Sequence, residues 1–286
     1  MRARVYSAPV QQRTDPVVVR AAVVAPPSRT VRVAFVGTPA RLAGCVDEAP
    51  GGGIEPLWIG VSEGDAPAEL RSRLTELGPD VVVGFGPDCP ADALTGVPAI
   101  TVGYLAEPLE PATARPEAFD RVIAADSKLA AEAERAGTPV WRVFPLPVAD
   151  GLYRPARRPV GPAQAVELDA GGPPGWAGRA DVAVNRAPAL GPAGQHAVLT
   201  CMAAGLLVLS APLPSMPWLE PDIDFVAADG DERFAEALET LRREPAAFHR
   251  QRLGGRLKAE WMRASSAWAR VIGDLSRDVS AFGADR

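Results

Sequence analysis

Residues 200–220 read TCMAAGLLVLSAPLPSMPWLE, and this stretch decides the fold class. The residues around its start, 193–204, predict a helix that ends at Gly205, because glycine readily adopts the left-handed conformation that terminates helices. The apolar run at 206–209, LLVL, predicts a buried strand directly after the helix. Trp218 then begins the next element. A helix that leads at once into an apolar strand is typical of α/β sheets.

Apolar runs of the same kind occur throughout the first half of the chain. They predict strands at 31–37 (VRVAFVG), 56–61, 80–85, 98–103, 121–125 and 139–144. Helical patterns lie between them at 66–77 and 127–136, the second with Asp126 or Ser127 as its N-cap. Strands that alternate with helices predict an α/β fold with doubly wound parallel sheets.

The segment 144–155, FPLPVADGLYRP, interrupts this alternation, and its prolines predict an extended crossover between two domains. Beyond it the pattern predicts strands at 165–168, 181–185, 206–209 and 225–228, and helices at 193–204, 231–243, 245–260 and 261–281. The predicted organisation is an extended or mobile lead segment at 1–30, a first Rossmann-like domain at 31–147, and a reduced second domain with C-terminal helices at 148–286.

Two tryptophans mark the helical end of the chain. Trp261 and Trp268 are seven residues apart, which places both on one face of a continuous helix. We expect this face to contact the core where the last helix returns to the first domain.

Composition narrows the classes of partner. The chain carries 30 Lys and Arg against 35 Asp and Glu, a net charge of −5, which argues against nucleic-acid binding. No apolar run approaches the roughly 20 residues of a membrane span, and the N-terminus has no signal-peptide core, so a cytoplasmic location is expected. Cys45, Cys89 and Cys201 are too widely spaced to predict a zinc site or a disulfide framework.

The order and spacing of six pieces resemble the GT-B glycosyltransferases, and more narrowly the bacterial group-1-like and CgeB-like sequences. The pieces are VRVAFVGTP at 31–39, PDVVVGFGPD at 79–88, the run 119–155, MAAGLLVLSAPL at 202–213, the run 218–238, and the arginine-rich run 251–275. The resemblance implies two Rossmann-like domains that face each other across a cleft. It also implies a nucleotide-sugar donor bound mainly by the C-terminal domain, an acceptor bound by the N-terminal domain, and no separate cofactor.

The chain departs from this family pattern at the donor site. The acidic residue that begins the family's EAxAxG motif falls at Thr200, and the basic residue three positions earlier falls at Ala197. Threonine cannot accept hydrogen bonds from two ribose hydroxyls as a carboxylate does, and an alanine side chain accepts none. The family's glycine-rich turn and diphosphate-binding basic residue are replaced by a Pro-, Gly- and Ala-rich stretch at 156–180.

Candidate site residues follow from the resemblance and from the ends of the predicted strands. The donor-binding candidates are Gln195, His196, Thr200, Gly205 and Glu220. Gly37 and Thr38 end the first strand, where they either face the acceptor side of the cleft or form a strand–helix turn with Thr38 as the N-cap. Glu107 follows the 98–103 strand and is the candidate catalytic carboxylate, since no histidine occurs before His196.

Two functional hypotheses remain open. The first is a metal-independent glycosyltransferase that transfers a sugar from a nucleotide-sugar donor to an unknown acceptor. The second is a catalytically inactive GT-B-like protein that acts as a partner or regulator of a related glycosyltransferase. The order of the pieces favours the first hypothesis, whereas Ala197, Thr200 and the stretch 156–180 favour the second.

Overall fold

The computed structural model describes residues 30–46, 53–62, 65–86, 89–107, 118–156, 163–168, 180–187 and 189–283. The predicted lead segment lies outside these ranges except for Thr30, and so does most of 156–180. Along the described residues no helix is long and apolar enough to span a bilayer.

The first sheet has six parallel strands in the order β2-β1-β3-β4-β5-β6. They are β1 (Val31–Gly37), β2 (Ile54–Gly60), β3 (Val81–Gly86), β4 (Ile100–Leu105), β5 (Arg121–Ala124) and β6 (Arg142–Val143). Its central strands are apolar runs because helices cover both faces of the sheet. Strand β6 is shorter than the predicted 139–144, since it lies at the edge and pairs only with β5.

The second sheet has four parallel strands in the order β10-β9-β8-β7. They are β7 (Ala165–Glu167), β8 (Val182–Asn185), β9 (Leu207–Ser210) and β10 (Val226–Ala227). Strands β8 and β9 are buried along their whole length and form the centre of this smaller sheet. The prediction of an α/β fold with two parallel sheets, the second reduced, is confirmed.

Seven helices connect and cover the strands in the described part of the chain. They are α1 (Pro39–Cys45), α2 (Pro67–Leu77), α3 (Ser127–Arg135), α4 (Pro192–Ala203), α5 (Asp231–Arg243), α6 (His249–Glu260) and α7 (Ala264–Gly283). Helices α1, α2 and α4 each begin with Pro-Ala, because proline at the first helical position sacrifices no intrahelical hydrogen bond. Asp126 caps α3 by accepting a hydrogen bond from the Leu129 amide at 2.8 Å, as predicted.

Helix α7 packs in the core of the first sheet. Trp268 is fully buried there, its indole N–H donates to the Cys45 carbonyl at 2.8 Å, and its ring meets Phe35 edge to face at 5.1 Å. The prediction for Trp261 is wrong, because the chain turns between α6 and α7 and Trp261 leaves 70% of its surface exposed. Its seven-residue spacing from Trp268 therefore spans two helices and not one face of a single helix.

Helix α4 forms the centre of the second domain. Every residue from Gly194 to Ala203 is buried, including the polar Gln195, His196 and Thr200, and the helix is covered by β8, β9 and α6. Gly205 follows its C-terminus with φ of +79°, and β9 begins two residues later. The predicted order of helix, glycine and strand in residues 200–220 is confirmed.

Candidate functional site

A cavity of about 290 Å³ lies where the carboxyl ends of strands from both sheets approach the N-terminus of α4. The first sheet contributes Ala106 and Glu107, which follow β4. The second sheet contributes Leu168 after β7, and Asn185 and Ala187 at the end of β8. Ligands of parallel α/β sheets bind at this edge of the strands, so the cavity is the candidate functional site.

The N-terminal turn of α4 supplies most of the remaining lining, through residues 189–194 and Ala197. Gly191 is the N-cap, Pro192 is the first helical residue, and the first turn carries no acidic side chain. The first N–H groups of a helix have no intrahelical partner and carry the positive end of its dipole. Ala193, the second helical residue, is exposed and carries only a methyl group, so these N–H groups form an opening suited to an anion.

Glu107 and Arg41 form the charged pair at the edge of the cavity. Their side chains are joined by a 2.6 Å contact between Glu107 Oε1 and Arg41 Nη2. Half of the Glu107 side chain is exposed, at 51%, whereas Arg41 is mostly buried, at 18%. Arg41 lies on α1, directly after the turn at the end of β1. The pair therefore places one accessible carboxylate on the side of the first domain.

Gln195 and His196 are turned toward the first domain and do not line the cavity. The Gln195 amide donates to Asp126 Oδ2 and to the Leu190 carbonyl, each at 3.1 Å. His196 Nε2 lies 3.0 Å from the Pro147 carbonyl and 3.2 Å from the Gly44 carbonyl. Burial lowers the pKa of His196 below its ordinary value of 6.5, although both backbone hydrogen bonds oppose this. The neutral ring therefore donates from Nε2 and links α4 to the first domain.

Comparison with known proteins shows the fold. No family model and no curated protein matches the chain. Among solved structures, Anabaena HepE in complex with UDP and glucose superposes with a TM-score of 0.55 at 11% identity, over 87% of this chain and all of that one. A glycosyltransferase involved in avilamycin A biosynthesis gives 0.55 at 14% identity, over 88% and 98% of the two chains.

Sucrose-phosphate synthase from Thermosynechococcus elongatus gives a TM-score of 0.53 at 12% identity, over 88% of this chain and 99% of that one. These proteins differ in what their names say they do, and what this chain shares with them is the fold. The chain has the GT-B fold. The resemblance drawn from the order of the sequence pieces is confirmed at the level of the fold.

Within this GT-B fold, three predicted donor residues lie away from the cavity. Thr200 is buried in the third turn of α4, and its hydroxyl has no hydrogen-bond partner among the described residues. Gly205 lies beyond the other end of that helix, where a Cβ would come within 2.6 Å of the Pro155 carbonyl oxygen. Glu220 is exposed and lies 3.5 Å from Lys258. None of the three lines the cavity, and their donor-binding roles stay predictions.

The two predicted acceptor-side residues lie at the carboxyl edge of the first sheet, and their acceptor-side role stays a prediction. Gly37 is buried at the carboxyl end of β1, where its carbonyl accepts the Val61 amide at 3.0 Å. Thr38 occupies the N-cap position of α1 with extended backbone, but its side chain does not make the capping hydrogen bond. Neither residue lines the cavity, so of the sequence candidates only Glu107 does.

Sequence reasoning missed Asn185 and the first turn of α4. The Asn185 amide donates to Ser210 Oγ at 2.9 Å and to the Ala187 carbonyl at 3.0 Å, which holds the loop after β8 against β9. A polar residue directly after the apolar run VAV at 182–184 was the available signal. Ala193 and Gly194 gave no signal, because their contribution comes from the backbone.

The site contains few charged groups. Within the described part of the chain, no Arg, Lys or His side chain lines the cavity. Clusters of three or more His, Cys, Asp or Glu side chains able to hold a metal are likewise absent from the described ranges. Ala197 lines the cavity at the position where the family resemblance places a basic residue.

Proposed function

We propose that this protein is a glycosyltransferase-like protein that binds a nucleotide sugar in the cleft, with the donor diphosphate at the N-terminus of α4. The observation that carries the proposal is the cavity itself, which joins the open first turn of α4 to the Glu107 side of the first domain. HepE, which shares the fold, is described in complex with UDP and with UDP-glucose. A nucleotide-sugar ligand for this chain is our extension of that likeness.

The physical support is electrostatic. A helix N-terminus carries roughly half a positive charge, and its free N–H groups bind phosphate without a basic side chain. The exposed Ala193 carries only a methyl group, which leaves room for a phosphate group against the first turn of the helix. A cavity of about 290 Å³ corresponds to the lower end of ligand pockets, of a size for the diphosphate and sugar of a donor.

In our proposal Glu107 is the carboxylate that accepts a proton from an acceptor hydroxyl. It is the acidic side chain of the cavity lining, and Arg41 holds its orientation through the 2.6 Å contact. A positioned carboxylate serves as a general base when it reaches the nucleophile directly or through one water molecule. In our proposal transfer proceeds without a metal or a separate cofactor, in the cytoplasm, and the acceptor remains unidentified.

A second function is favoured by one observation. Where the family resemblance places a basic residue, the cavity is lined by Ala197, so the leaving diphosphate has no cationic side chain at this position. Such a site binds a nucleotide sugar weakly and transfers it slowly or not at all. The alternative function is therefore an inactive GT-B-like partner or regulator of a related glycosyltransferase.

The test uses two matched helices. Ala193 and Ala68 are exposed second residues of helices that begin with Pro-Ala. Aspartate in a first turn favours the helix dipole, so both Ala193→Asp and Ala68→Asp should keep the fold. We expect Ala193→Asp to raise the dissociation constant of the bound nucleotide sugar at least about tenfold by charge repulsion, and Ala68→Asp to leave it unchanged.

The measurement is calorimetric titration of wild type and both variants with UDP-, GDP- and TDP-sugars, followed by assays for sugar hydrolysis and transfer. Failure of every nucleotide sugar to bind the wild type would reject the proposal, as would an equal effect of the two substitutions. Binding without hydrolysis or transfer to any acceptor would select the inactive partner over the transferase.

A further inference from the structure

Helix α6 exposes large apolar side chains along its outer face. Toward α4 and the second-domain core it buries Arg252, Gly255 and Ala259. Toward the outside it exposes Leu253 by 42% and Leu257 by 67%, and Trp261 at its C-cap by 70%. A surface helix normally buries its large apolar residues and exposes its arginines. The buried Arg252 and the row of exposed large apolar side chains depart from this rule, and contiguous exposed apolar surface marks an interaction site.

The exposed residues form one continuous line. Arg250, Leu253, Leu257 and Trp261 follow each other at spacings of three and four residues, which places them on one face of the helix. Trp261 keeps helical backbone angles, with φ of −68° and ψ of −22°, so the line extends to it. We name these four residues the outer stripe of α6. Ile223, which is 56% exposed, lies beside the stripe because its carbonyl oxygen packs against Gly254.

We propose that the outer stripe of α6 binds the outer stripe of a second copy of this chain, antiparallel, in a two-fold symmetric dimer. The order of residues along the stripe is the reason for choosing a second copy of the chain as the partner. In an antiparallel pair centred between Leu253 and Leu257, the cationic Arg250 of each copy lies opposite the exposed indole of Trp261 of the other. An arginine over a tryptophan ring is the favoured cation–π pair, and symmetry creates it twice.

The leucines occupy the centre of the same pairing. Leu253 of each copy faces Leu257 of the other, so the apolar middle is covered while the Arg250 of each copy has an aromatic partner. The stripe is thus complementary to itself.

The area of the outer stripe limits the expected affinity of the dimer. A specific interface usually buries at least about 1,200 Å², and two short stripes with Ile223 at their margin supply only part of that area. We therefore expect a reversible dimer with a dissociation constant on the order of 10 µM, populated at high protein concentration and absent at nanomolar concentration.

Sedimentation velocity of the full chain, from about 1 to 200 µM, tests the dimer. The wild type should shift from monomer to dimer across this range, and Leu257→Arg should remain monomeric because it places like charges in the apolar centre. Val143→Arg is the matched control, since Val143 is a 47% exposed apolar residue on the edge of the first sheet, away from the stripe. It should dimerise as the wild type does, and the melting temperatures should show that all three proteins fold.

A charge exchange tests the antiparallel order. Arg250→Glu and Trp261→Arg should each raise the dissociation constant of the dimer at least about tenfold, because each removes both cation–π contacts. The double variant should recover most of the affinity, since the introduced carboxylate of one copy then faces the introduced guanidinium of the other. A wild type that stays monomeric at 200 µM overturns the proposal. The proposal is equally overturned if this monomer binds anionic lipid vesicles through Leu257. A double variant no better than the single variants overturns the antiparallel pairing.

Discussion

At the residue scale, the structure alters the predicted role of two side chains of α4. Gln195 and His196 are polar residues at the start of a helix that the family resemblance directs toward a donor. In the structure their nitrogen atoms bind Asp126 Oδ2 and the carbonyls of Gly44 and Pro147 across the boundary between the two domains. Buried polar groups require hydrogen-bond partners, and here the first domain provides them. Both residues therefore hold the two domains together at the cleft.

We predict that His196→Phe destabilises the protein and removes part of its pH dependence. The Pro147 carbonyl loses its hydrogen-bond donor, which should lower the free energy of unfolding by about 1–3 kcal/mol. Because burial lowers the pKa of His196 in the folded state, the unfolded chain binds more protons once the pH falls below 6.5. Stability from this residue is therefore complete above pH 6.5 and lost progressively below it.

Urea unfolding at pH 7.5 and about pH 5.5 measures both effects of this substitution. The loss of stability between the two pH values should be smaller in His196→Phe than in the wild type. Equal losses in both proteins would show that His196 does not contribute to the pH dependence.

Thr200→Val should leave stability unchanged or raise it by up to about 1 kcal/mol, because the buried Thr200 hydroxyl has no partner among the described residues. Nucleotide-sugar affinity should also stay unchanged, since the residue does not line the cavity. Thr101→Val is the control, because the Thr101 hydroxyl donates to Asp120 at 2.9 Å. Thermal unfolding should show a loss only for Thr101→Val, and weakened donor binding by Thr200→Val would restore the donor role predicted from the motif.

At the element scale, α4 connects the sequence pattern to the site. Its N-terminal turn opens into the cavity, its middle is buried on all sides, and its C-terminus leads through Gly205 into β9. Glycine is required at position 205 for two reasons. Its φ is positive, and the Pro155 carbonyl lies where a Cβ would be. The position of α4 thus depends on a close backbone approach at the end opposite to the site.

Gly205→Ala should cost clearly more stability than Gly137→Ala. Both glycines follow helix C-caps with φ between +79° and +87°, so both substitutions incur the strain of the left-handed conformation, about 1–2 kcal/mol. No atom lies within 4 Å of the position of a Cβ at Gly137, whereas at Gly205 the Pro155 carbonyl oxygen lies at 2.6 Å. Urea unfolding should show an additional loss for Gly205→Ala of at least about 1 kcal/mol from this clash. Equal losses would mean that the 154–156 segment moves aside freely.

At the scale of the whole molecule, the last helix belongs to the core of the first sheet although it follows the second. Trp268 packs among Phe35, Phe85 and Tyr104, and Arg142 of β6 pairs with Asp274 of α7. The chain leaves the first sheet, builds the second and returns. A division at residue 147 stays a prediction, and the packing of α7 implies that residues 31–147 need the C-terminal helix to complete their core.

Trp268→Ala should lower the free energy of unfolding by about 3–5 kcal/mol, because it opens a cavity among these rings and removes the hydrogen bond to Cys45. Trp261→Ala is the matched control, since its ring is 70% exposed, and it should change stability by less than about 0.5 kcal/mol. Both are measured by urea unfolding at a protein concentration low enough to keep the chain monomeric. A small effect of Trp268→Ala would contradict the packing of α7 on the first sheet.

The sequence by itself determined the α/β class, the succession of most strands and helices, and the GT-B resemblance. Apolar runs such as VRVAFVG and LLVL report burial on both faces of a parallel strand, and glycines such as Gly205 report where a helix must end. These signals come from residues that are adjacent in the sequence, so they can be recognised without the tertiary structure. Helix α1 lacked predicted bounds because its seven residues are too few for a periodic pattern.

Only the tertiary structure decided where the polar residues of α4 point and which residues form the cavity. A motif position gives the place of a residue along a helix, but the neighbouring domain decides whether its side chain meets a ligand or a carbonyl. The sequence likewise placed Trp261 and Trp268 on one face, and the turn between α6 and α7 put one outside and the other in the core. The free N–H groups in the first turn of α4 belong to the backbone, so no residue type in the sequence indicates them. Only the packing of the structure shows that they open into the cleft.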